Sequence, residues 1–443
     1  MLIEVLMAKC LQKIINFSPL HGKNITGSFT GGSITSDGGL MLLREVDKKL
    51  QLTNKISKVI SDKRNQSYVT HPILQMLRQR IFGLAAGYED LNDHDTLRKD
   101  LAFQTVVSTE QELAGSSTLS RFENAIDRQD CIRLSQLLVE QFIASHKTPP
   151  KELILDFDPT DFTLHGNQDK AHYHGYYQNY CYLPLYVFCN HQLLVAYLRS
   201  SNIDGAKHGG AILKLLVQAL RAKWPEVKII FRCDGAFARR HILNWCEHND
   251  INYLVGLAQN IRILKMAKPT LEQAQQLYEA TQEKQKLFTE FNYQAGTWKA
   301  PRRVIVKVEH NRLGNNLRCL VTNMNVPPQE LYEQNYSPRG DMENDIKQQK
   351  LDLRADRCSS HEFMVNQFRM LLSGFAYLLF QHMSTTYLKH TKYANSYCKT
   401  IRLKLFKIGA IIIKNTRSIK FLFSSAYTEQ QIFTNLVKNL ESG

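Results

Sequence analysis

The stretch LILDFDPTDFTL, residues 153–164, decides the predicted fold, because its short apolar run carries two aspartates separated by a single residue. A bounded apolar run of this length is typical of a buried β-strand. Successive side chains of a strand point to opposite faces, so Asp156 and Asp158 lie on the same face. We therefore expect a buried strand that presents acidic groups near its end.

Strand and helix patterns alternate after this stretch. Two β-rich runs precede an amphipathic helix, a buried strand, a second helix and a last strand. The segments are YCYLPLYVFCN (180–190), QLLVAYLRS (192–200), GAILKLLVQALRAKWP (210–225), VKIIFRCDGAFA (227–238), RRHILNWCEHND (239–250) and INYLVGLAQN (251–260). This order predicts an α/β domain with a mixed central sheet. Asp234 ends the buried strand, directly before Gly235.

The rest of the chain divides around this α/β domain, whose first part is residues 151–260. Residues 1–150 have helical periodicity with interleaved basic side chains, which predicts a helical DNA-binding region, although a helical domain with a solvated face fits equally well. Residues 261–330 are first polar and then strand-rich, so we expect a β-rich insertion. Residues 331–443 resume the α/β domain and continue into a mixed C-terminal region.

Composition favours a polyanionic partner. The 443 residues include 56 Lys and Arg against 41 Asp and Glu, a formal charge of +15, which points first to nucleic acid and second to an anionic membrane. The longest apolar run, residues 370–380, is too short to span a bilayer and predicts a buried helix, so no membrane partner is expected. Charged residues interrupt residues 1–17, unlike a secretory signal, and nine scattered cysteines indicate reduced thiols in a cytosolic protein.

A second decisive stretch is YSPRGDMENDIKQQK, residues 336–350. Ser337 as N-cap and Pro338 at the first helical position predict a helix that starts here and leaves Tyr336 just outside it. Spacings of four, four and three place one set of charges on a single stripe: Arg339, Glu343, Lys347 and Lys350. Such a stripe at a helix N-terminus suits phosphate and metal, although a solvated helix face is the common alternative.

Three acidic positions together suggest a metal site. They are Asp158 or Asp156 on the first strand, Asp234 at the end of a later strand, and Glu343 on the late helix. Strand ends commonly gather at one edge of such a sheet, and hard oxygen donors without Cys or His suit Mg²⁺ or Mn²⁺. The alternative is that each aspartate caps the turn or helix that follows it.

These residues resemble the DDE transposases of bacterial insertion sequences, in the branch with a Tyr-x₂-Arg-x₃-Glu-x₆-Lys signature. The signature is present as Tyr336, Arg339, Glu343 and Lys350. The phrases GGSITSDGGLMLLREVD, GLAAGYEDLNDHDTLRKD, STLSRFEN, LDFDPTDFTLHGNQ and RCDGAFA also look like one subgroup of these enzymes. The resemblance implies a ribonuclease-H-like α/β catalytic domain with a mixed sheet that a β-rich insertion interrupts.

The resemblance also implies roles for single residues. Asp158, which Thr160 follows, matches the first catalytic aspartate best, and Asp156 is the second choice. Asp234 and Glu343 complete the catalytic triad, which would bind two Mg²⁺ ions, with Mn²⁺ able to substitute. The DNA-phosphate-binding residues would be Tyr336, Arg339 and Lys350, with Lys347 as a helper. Trp298 in the insertion is a candidate for stacking on a flipped base, and a buried Trp in the insertion core is the equal alternative.

The resemblance implies a transposase that binds the terminal inverted repeats of an insertion sequence and catalyses metal-dependent strand cleavage and strand transfer. Its partners would be double-stranded DNA at the element ends and in the target, and a second copy in a synaptic homodimer. The expected location is the bacterial cytoplasm, at the nucleoid. The alternative is a metal-dependent DNA nuclease or a domesticated, non-transposing DNA-binding derivative.

Overall fold

A computed structural model describes residues 14–442. Its N-terminal part has a β-hairpin, a short strand and seven helices. They are β1 (Ile15–Leu20), β2 (Lys23–Gly27), β3 (Ile34–Thr35), α1 (Met41–Leu50), α2 (Leu52–Val59), α3 (Ile73–Ala86), α4 (Asp93–Leu97), α5 (Leu101–Val107), α6 (Ser116–Asn124) and α7 (Arg128–Ser145). The sequence analysis missed this hairpin, because Ile15 and Phe17 alternate with polar residues over only four positions and every residue of β1 is exposed. The prediction about a secretory signal lies mostly outside the described residues.

The α/β region begins with the first acidic strand. Its elements are β4 (Glu152–Pro159), β5 (Phe162–Thr163), β6 (His172–His174), β7 (Asn179–Tyr182), β8 (Leu185–Cys189), β9 (Gln192–Tyr197), α8 (Gly209–Lys223), β10 (Lys228–Cys233), α9 (Arg240–His248) and β11 (Asn252–Leu257). The run at residues 180–190 forms two strands rather than one, and the break falls at Pro184, which has no N–H for a ladder. The first of the two, β7, joins a small sheet in the order β5-β7-β6.

Residues 261–330, the predicted β-rich insertion, contain a long helix in addition to strands. They begin with a long helix, whose N-cap Asn260 accepts a hydrogen bond from the backbone N–H of Ile263 at 3.1 Å, and three strands follow. The elements are α10 (Ile261–Thr281), β12 (Gln285–Tyr293), β13 (Arg302–Asn311) and β14 (Gly314–Thr322). Because β14 pairs with β11, these strands extend the main sheet instead of forming a sheet of their own.

The predicted mixed central sheet is present, with eight strands in the order β12-β13-β14-β11-β10-β4-β8-β9. Strands β4, β10 and β11 are parallel, and the other pairs are antiparallel. In the register of β4 and β10, Phe157 lies opposite Cys233. The next residues, Asp158 and Asp234, therefore lie at the same edge of the sheet.

The two faces of the sheet are covered by different elements. On one face, Leu155 and Phe231 share a core with residues of α8, α9 and α10. On the other face, Ile154 and Ile230 belong to a core with Leu331 of the segment that follows the last strand. The alternation of side chains along β4 thus places its aspartates on the second face.

That segment is one continuous helical stretch, residues 328–352. It contains α11 (Pro328–Glu330), a π-helical part (Leu331–Tyr336), a 3₁₀ part (Ser337–Arg339), α12 (Gly340–Lys347) and a final π-helical part (Gln348–Asp352). The prediction of a helix start at Ser337 is therefore wrong: Ser337 is itself helical and makes no capping bond. Pro338, which lacks a backbone N–H, lies where the winding changes, so it interrupts a helix rather than beginning one.

The C-terminal region continues with α13 (Phe363–His382), α14 (Cys398–Ile401), β15 (Ala410–Lys414), β16 (Ile419–Phe423) and α15 (Gln430–Ser442). The stretch Phe363–Tyr387 is long and apolar enough to cross a membrane by length and composition, but 78% of its most apolar window is buried inside the protein. This burial confirms the buried helix predicted for residues 370–380. Strand β15 pairs with β3, which brings the N-terminal part and the C-terminal region together.

Buried charges join the N-terminal helices to α13. Glu123 of α6 is fully buried, and its two carboxylate oxygens accept hydrogen bonds from Arg80 of α3 at 2.8 Å and from Arg369 of α13 at 2.7 Å. Arg80 also lies 3.0 Å from the ring of His94, whose pKa is held well below its usual value by burial and by the Arg80 charge. These contacts and a shared hydrophobic core tie the first helices to the C-terminal region.

Candidate active site at the sheet edge

The parallel strands β4 and β10 position Asp158 and Asp234 at the candidate site. Asp158 is the last acidic residue of β4, and its side chain is 17% exposed. Asp234 follows β10 and accepts a hydrogen bond from the backbone N–H of Ala236 at 3.0 Å, which turns the chain into a short 3₁₀ helix. The capping alternative is thus realised for Asp234, but this bond occupies only one of its carboxylate oxygens.

Arg339 connects the strand edge to the late helix. Its Nη1 lies 3.3 Å from Asp158 Oδ1, and its Nη2 lies 3.4 Å from Glu343 Oε1. The Glu343 side chain is 52% exposed, whereas the Arg339 side chain is only 18% exposed. A single guanidinium group therefore bridges two of the three predicted catalytic carboxylates.

The carboxylates repel each other in this partly buried place. Burial, opposed by the Arg339 charge and reinforced by the charges of Asp234 and Glu343, raises the pKa of Asp158 to about 7. Burial likewise raises the pKa of Asp234. One cation is too little for this cluster, so the site has a deficit of positive charge.

The donor chemistry of the site suits a hard divalent cation, since all three groups offer carboxylate oxygens. Within residues 14–442, however, no three acidic, His or Cys side chains converge closely enough to ligate one ion. Arg339 lies between Asp158 and Glu343 and supplies the positive charge there.

Asp156, the second choice for the first aspartate, has a different environment. Its two oxygens accept hydrogen bonds from Arg232 Nε and Nη2 at 2.5 and 2.6 Å, and the residue is 5% exposed. Arg232 also donates to the carbonyl of Asn335 on the helical segment. Asp156 is thus saturated by a buried ion pair that the sequence analysis did not identify, although Arg232 lies directly opposite it in the strand register.

The predicted phosphate-binding side chains border the same edge. The Tyr336 hydroxyl lies over β11, since a Cβ atom on Gly256 would come within 3.0 Å of it, and burial raises the pKa of this hydroxyl to about 12. Lys350 Nζ lies 3.1 Å from Asp161 Oδ1, just beyond β4. Lys347 is exposed on the same helical segment. Asp161 is a partner that the sequence analysis missed, although it belongs to the same DFDPTD phrase.

Trp298 lies apart from the carboxylates and is only 5% exposed. Its ring packs against Tyr293, with centroids 5.8 Å apart, and under the Arg302 guanidinium at 4.8 Å. Arg302 is held in turn by Glu247 of α9. Trp298 is thus buried, but in the core that the main sheet shares with α8 and α9 rather than in a separate core of the insertion.

Comparison with known proteins identifies a family. A family model described as "Transposase DDE domain group 1" matches residues 17–442. No curated protein matches the chain. Among solved structures, the chain is similar to a cryo-EM structure of the piggyBac transposase synaptic complex with hairpin DNA, at 11% identity over 90% of this chain and 89% of that one, with a TM-score of 0.38. This weak structural similarity adds nothing to the family match.

Proposed function

The chain belongs to the family of group 1 transposase DDE domains, and from that membership we propose that it is the transposase of a bacterial insertion sequence. In this proposal it binds the terminal inverted repeats of its element as double-stranded DNA. It then cleaves a strand at the element end and joins the freed 3′-hydroxyl to target DNA. The excess of 15 positive charges supports DNA as the partner.

We propose a ribonuclease-H-like arrangement for the core of the sheet. The support is the order β9-β8-β4-β10-β11, in which β8 and β9 form antiparallel pairs while β4, β10 and β11 run parallel. Residues 1–150 serve as a helical DNA-binding region in this proposal, and residues 261–330 as an insertion into the catalytic domain. A hydrophobic core shared by the N-terminal helices and the C-terminal region joins the proposed DNA-binding region to the end of the catalytic domain.

One observation supports this assignment most: Arg339 forms ion pairs with Asp158 and Glu343 from two separate elements and also feels the charge of Asp234 from a third. Asp158 and Asp234 come from neighbouring parallel strands, and Glu343 comes from the helix across the same edge. Two bound Mg²⁺ ions, or Mn²⁺ in their place, would activate the attacking oxygen and neutralise charge on the phosphoryl group. Asp158, Asp234 and Glu343 are the proposed ligands.

The neighbouring cations would position the DNA. Arg339 is close enough to the carboxylates to reach the scissile phosphate, and a guanidinium can hold a phosphate through two hydrogen bonds. Lys350 and Lys347 add point charges along the helical segment, while the Tyr336 hydroxyl can donate one hydrogen bond. Asp161 holds Lys350 at the edge until DNA is bound.

Base stacking on Trp298 would require a local opening of the protein around this side chain. The ring is 5% exposed, so a flipped base could reach it only after the loop between β12 and β13 opens. The proposal for assembly is a homodimer that holds two element ends, and the proposed location is the bacterial cytoplasm at the nucleoid.

The first experiment uses purified protein and a labelled duplex with one flanking end of the gene, in Mg²⁺ or in Ca²⁺. We compare the wild type with Glu343→Gln and with a matched control, Asp341→Asn. Asp341 lies on the same helix, is exposed and makes no ion pair within residues 14–442. Wild type and control should cleave the end in Mg²⁺ only, and Glu343→Gln should bind without cleaving.

Other outcomes would select another function. Cleavage without any strand-transfer product would favour a metal-dependent nuclease. Tight binding by every variant with no cleavage in any metal would favour a non-transposing DNA-binding derivative. Equal cleavage by the wild type and Glu343→Gln would exclude the proposed catalytic triad.

A further inference from the structure

A cationic cavity lies outside the set of residues discussed so far. It has a volume of about 520 Å³ and opens between the start of α8 and the first turns of α9. The charged and aromatic residues of its lining are Asp204, Lys207, His208, Lys214, Arg239, His241 and Trp245. This volume lies in the range of ligand-binding cavities, and the lining combines cations with two histidine rings and one tryptophan ring.

The cavity carries positive charge that the protein leaves uncompensated. Asp204 is the only carboxylate of the lining, and it already forms an ion pair with Arg239. Within the described part of the chain, Lys207 and Lys214 form no ion pair with a carboxylate, and both are exposed. Lys214 Nζ lies 5.6 Å from the centre of the Trp245 ring. Two free ammonium groups in a concave site attract an anion.

The cavity adjoins the carboxylate edge. A Cβ atom on Gly205 would lie 3.7 Å from both Pro159, which follows Asp158, and Ala236, which follows Asp234 in the next turn. Arg199, which is 2% exposed, holds this loop by donating hydrogen bonds to the carbonyls of Gly205 and Lys207 at 2.9 and 2.6 Å. The loop that carries Lys207 is therefore fixed beside the candidate active site.

The cavity and the phosphate-binding helix lie on opposite faces of the sheet. Residues of α8 and α9 share the core with Leu155 and Phe231, whereas the segment with Arg339 and Lys350 covers the other face. Positive side chains thus flank the carboxylate edge from both sides. A DNA strand that crosses this edge can contact one set before the scissile phosphate and the other set after it.

We propose that the cavity between α8 and α9 is a second DNA-backbone site, in which Lys207 and Lys214 bind phosphates on the far side of the scissile bond from Arg339 and Trp245 contacts the adjacent nucleotide. This inference rests on the proposed transposase function and extends it. Lysine suits such contacts as a point charge, and an aromatic face accepts any base or sugar.

The first test measures how DNA affinity depends on salt. We compare the wild type, Lys207→Gln/Lys214→Gln and the control Lys223→Gln, which removes an exposed charge from the far end of α8. The probe is the flanking-end duplex in Ca²⁺. The slope of log K against log salt is negative, and each lost phosphate contact reduces its magnitude by about 0.9. The magnitude of the slope should therefore be smaller by about 1 to 2 in the double variant than in the wild type. In the control it should fall by less than half of that amount.

The second test uses tryptophan fluorescence and does not depend on the lysines. Trp224 and Trp298 are each 5% exposed, whereas Trp245 is partly exposed in the cavity. Addition of the duplex should quench the wild-type emission, and Trp245→Phe should lose this response while Trp298→Phe keeps it. A response that disappears with Trp298→Phe instead would overturn the cavity site and support base stacking in the insertion.

The outcomes separate this inference from the proposed function. If the wild type cleaves the duplex but the double variant has the same salt slope as Lys223→Gln, only the cavity site is wrong. If the wild type binds no duplex at all, both proposals fail. Equal thermal unfolding of the double variant and the control will show that the fold is intact, which is expected because both lysines are exposed.

Discussion

The buried charges around Glu123 and the carboxylates at the sheet edge differ in how they are matched. Glu123 is fully buried, but two arginines donate to its two oxygens. At the sheet edge, Asp158, Asp234 and Glu343 share Arg339. A cluster whose charges are all paired holds elements of the fold together. A cluster with too little positive charge instead favours the binding of an additional cation. The number of ionic partners, rather than the degree of burial, distinguishes the structural cluster around Glu123 from the candidate functional cluster at the sheet edge.

The largest effect on stability should come from the saturated cluster. Glu123→Ala leaves Arg80 and Arg369 buried without their partner, which typically costs about 3–5 kcal/mol of unfolding free energy. Urea unfolding measures this change. Glu140→Ala on the neighbouring helix α7 removes an exposed carboxylate and should cost less than about 0.5 kcal/mol. Equal effects of the two substitutions would show that the Glu123 cluster does not hold α3 and α13 together.

Divalent ions should act only on the unsaturated cluster. Mg²⁺ at 100 times its dissociation constant should raise the unfolding free energy of the wild type by about 2.7 kcal/mol. Glu343→Gln should lose most of this gain, because it removes one of three proposed ligands, while Asp341→Asn should keep it. Thermal unfolding with and without EDTA measures the difference. The same gain in Glu343→Gln would place the ion elsewhere.

Asp158→Asn should stabilise the metal-free protein at neutral pH. Burial and the neighbouring carboxylates raise the pKa of Asp158 to about 7, so its protonated form is the one that the fold favours. The stability that Asp158 contributes is complete below its unfolded pKa near 3.8 and is lost as pH rises through about 7. At pH 8 in EDTA, the variant should be more stable than the wild type by roughly 0.5–2 kcal/mol.

This pH dependence supplies its own control. At pH 4 the wild-type carboxyl is mostly protonated in the folded protein, so the two proteins should unfold at similar urea concentrations. Cleavage by Asp158→Asn should fall by about 10²–10³-fold or more, since a charged group of the proposed catalytic triad is removed. A variant less stable than the wild type at pH 8 would show that the carboxylate cluster is satisfied.

The smallest effect should come from an ion pair in which one partner is half-exposed. His191 lies 2.8 Å from buried Asp345, and this hydrogen bond raises the pKa of His191. The pair stabilises the fold fully below the unfolded histidine pKa of 6.5, and its contribution is lost as pH rises through the folded pKa. His191→Ala should therefore cost less than about 1 kcal/mol at pH 6, because the ring is 54% exposed, and almost nothing at pH 9. Urea unfolding at both pH values measures this difference, and a larger cost at pH 9 would contradict it.

The sequence predicts the central strands well, because their physical signals are local. Strands β4 and β10 are bounded apolar runs that end at acidic residues, and their parallel pairing brings Asp158 and Asp234 to one edge as expected. Arg339 and Glu343 lie four residues apart on a helix, so spacing alone places them together. These features depend on periodicity and on short distances along the chain.

The missed features depend on contacts between distant segments. Ser337 and Pro338 are good local start signals, but Leu331 and Tyr332 pack on the sheet and draw the preceding residues into the same helical stretch. The pairing of Arg232 with Asp156 follows from strand register, which no local pattern contains. The sequence of the insertion likewise shows the alternation of apolar and polar residues that is typical of strands. It does not show that β14 pairs with β11.

The pairing of β3 with β15 has a consequence for synthesis of the protein on the ribosome. Gly39 lies so close to the Leu405 carbonyl that a Cβ atom would come within 1.9 Å of it, so the first helices pack against residues that are translated much later. A nascent chain cannot complete this seam until the last strands emerge. A product that stops before α13 would leave Arg80 and Glu123 without Arg369 and their apolar neighbours exposed. Proteases should therefore remove such fragments before they could reach DNA.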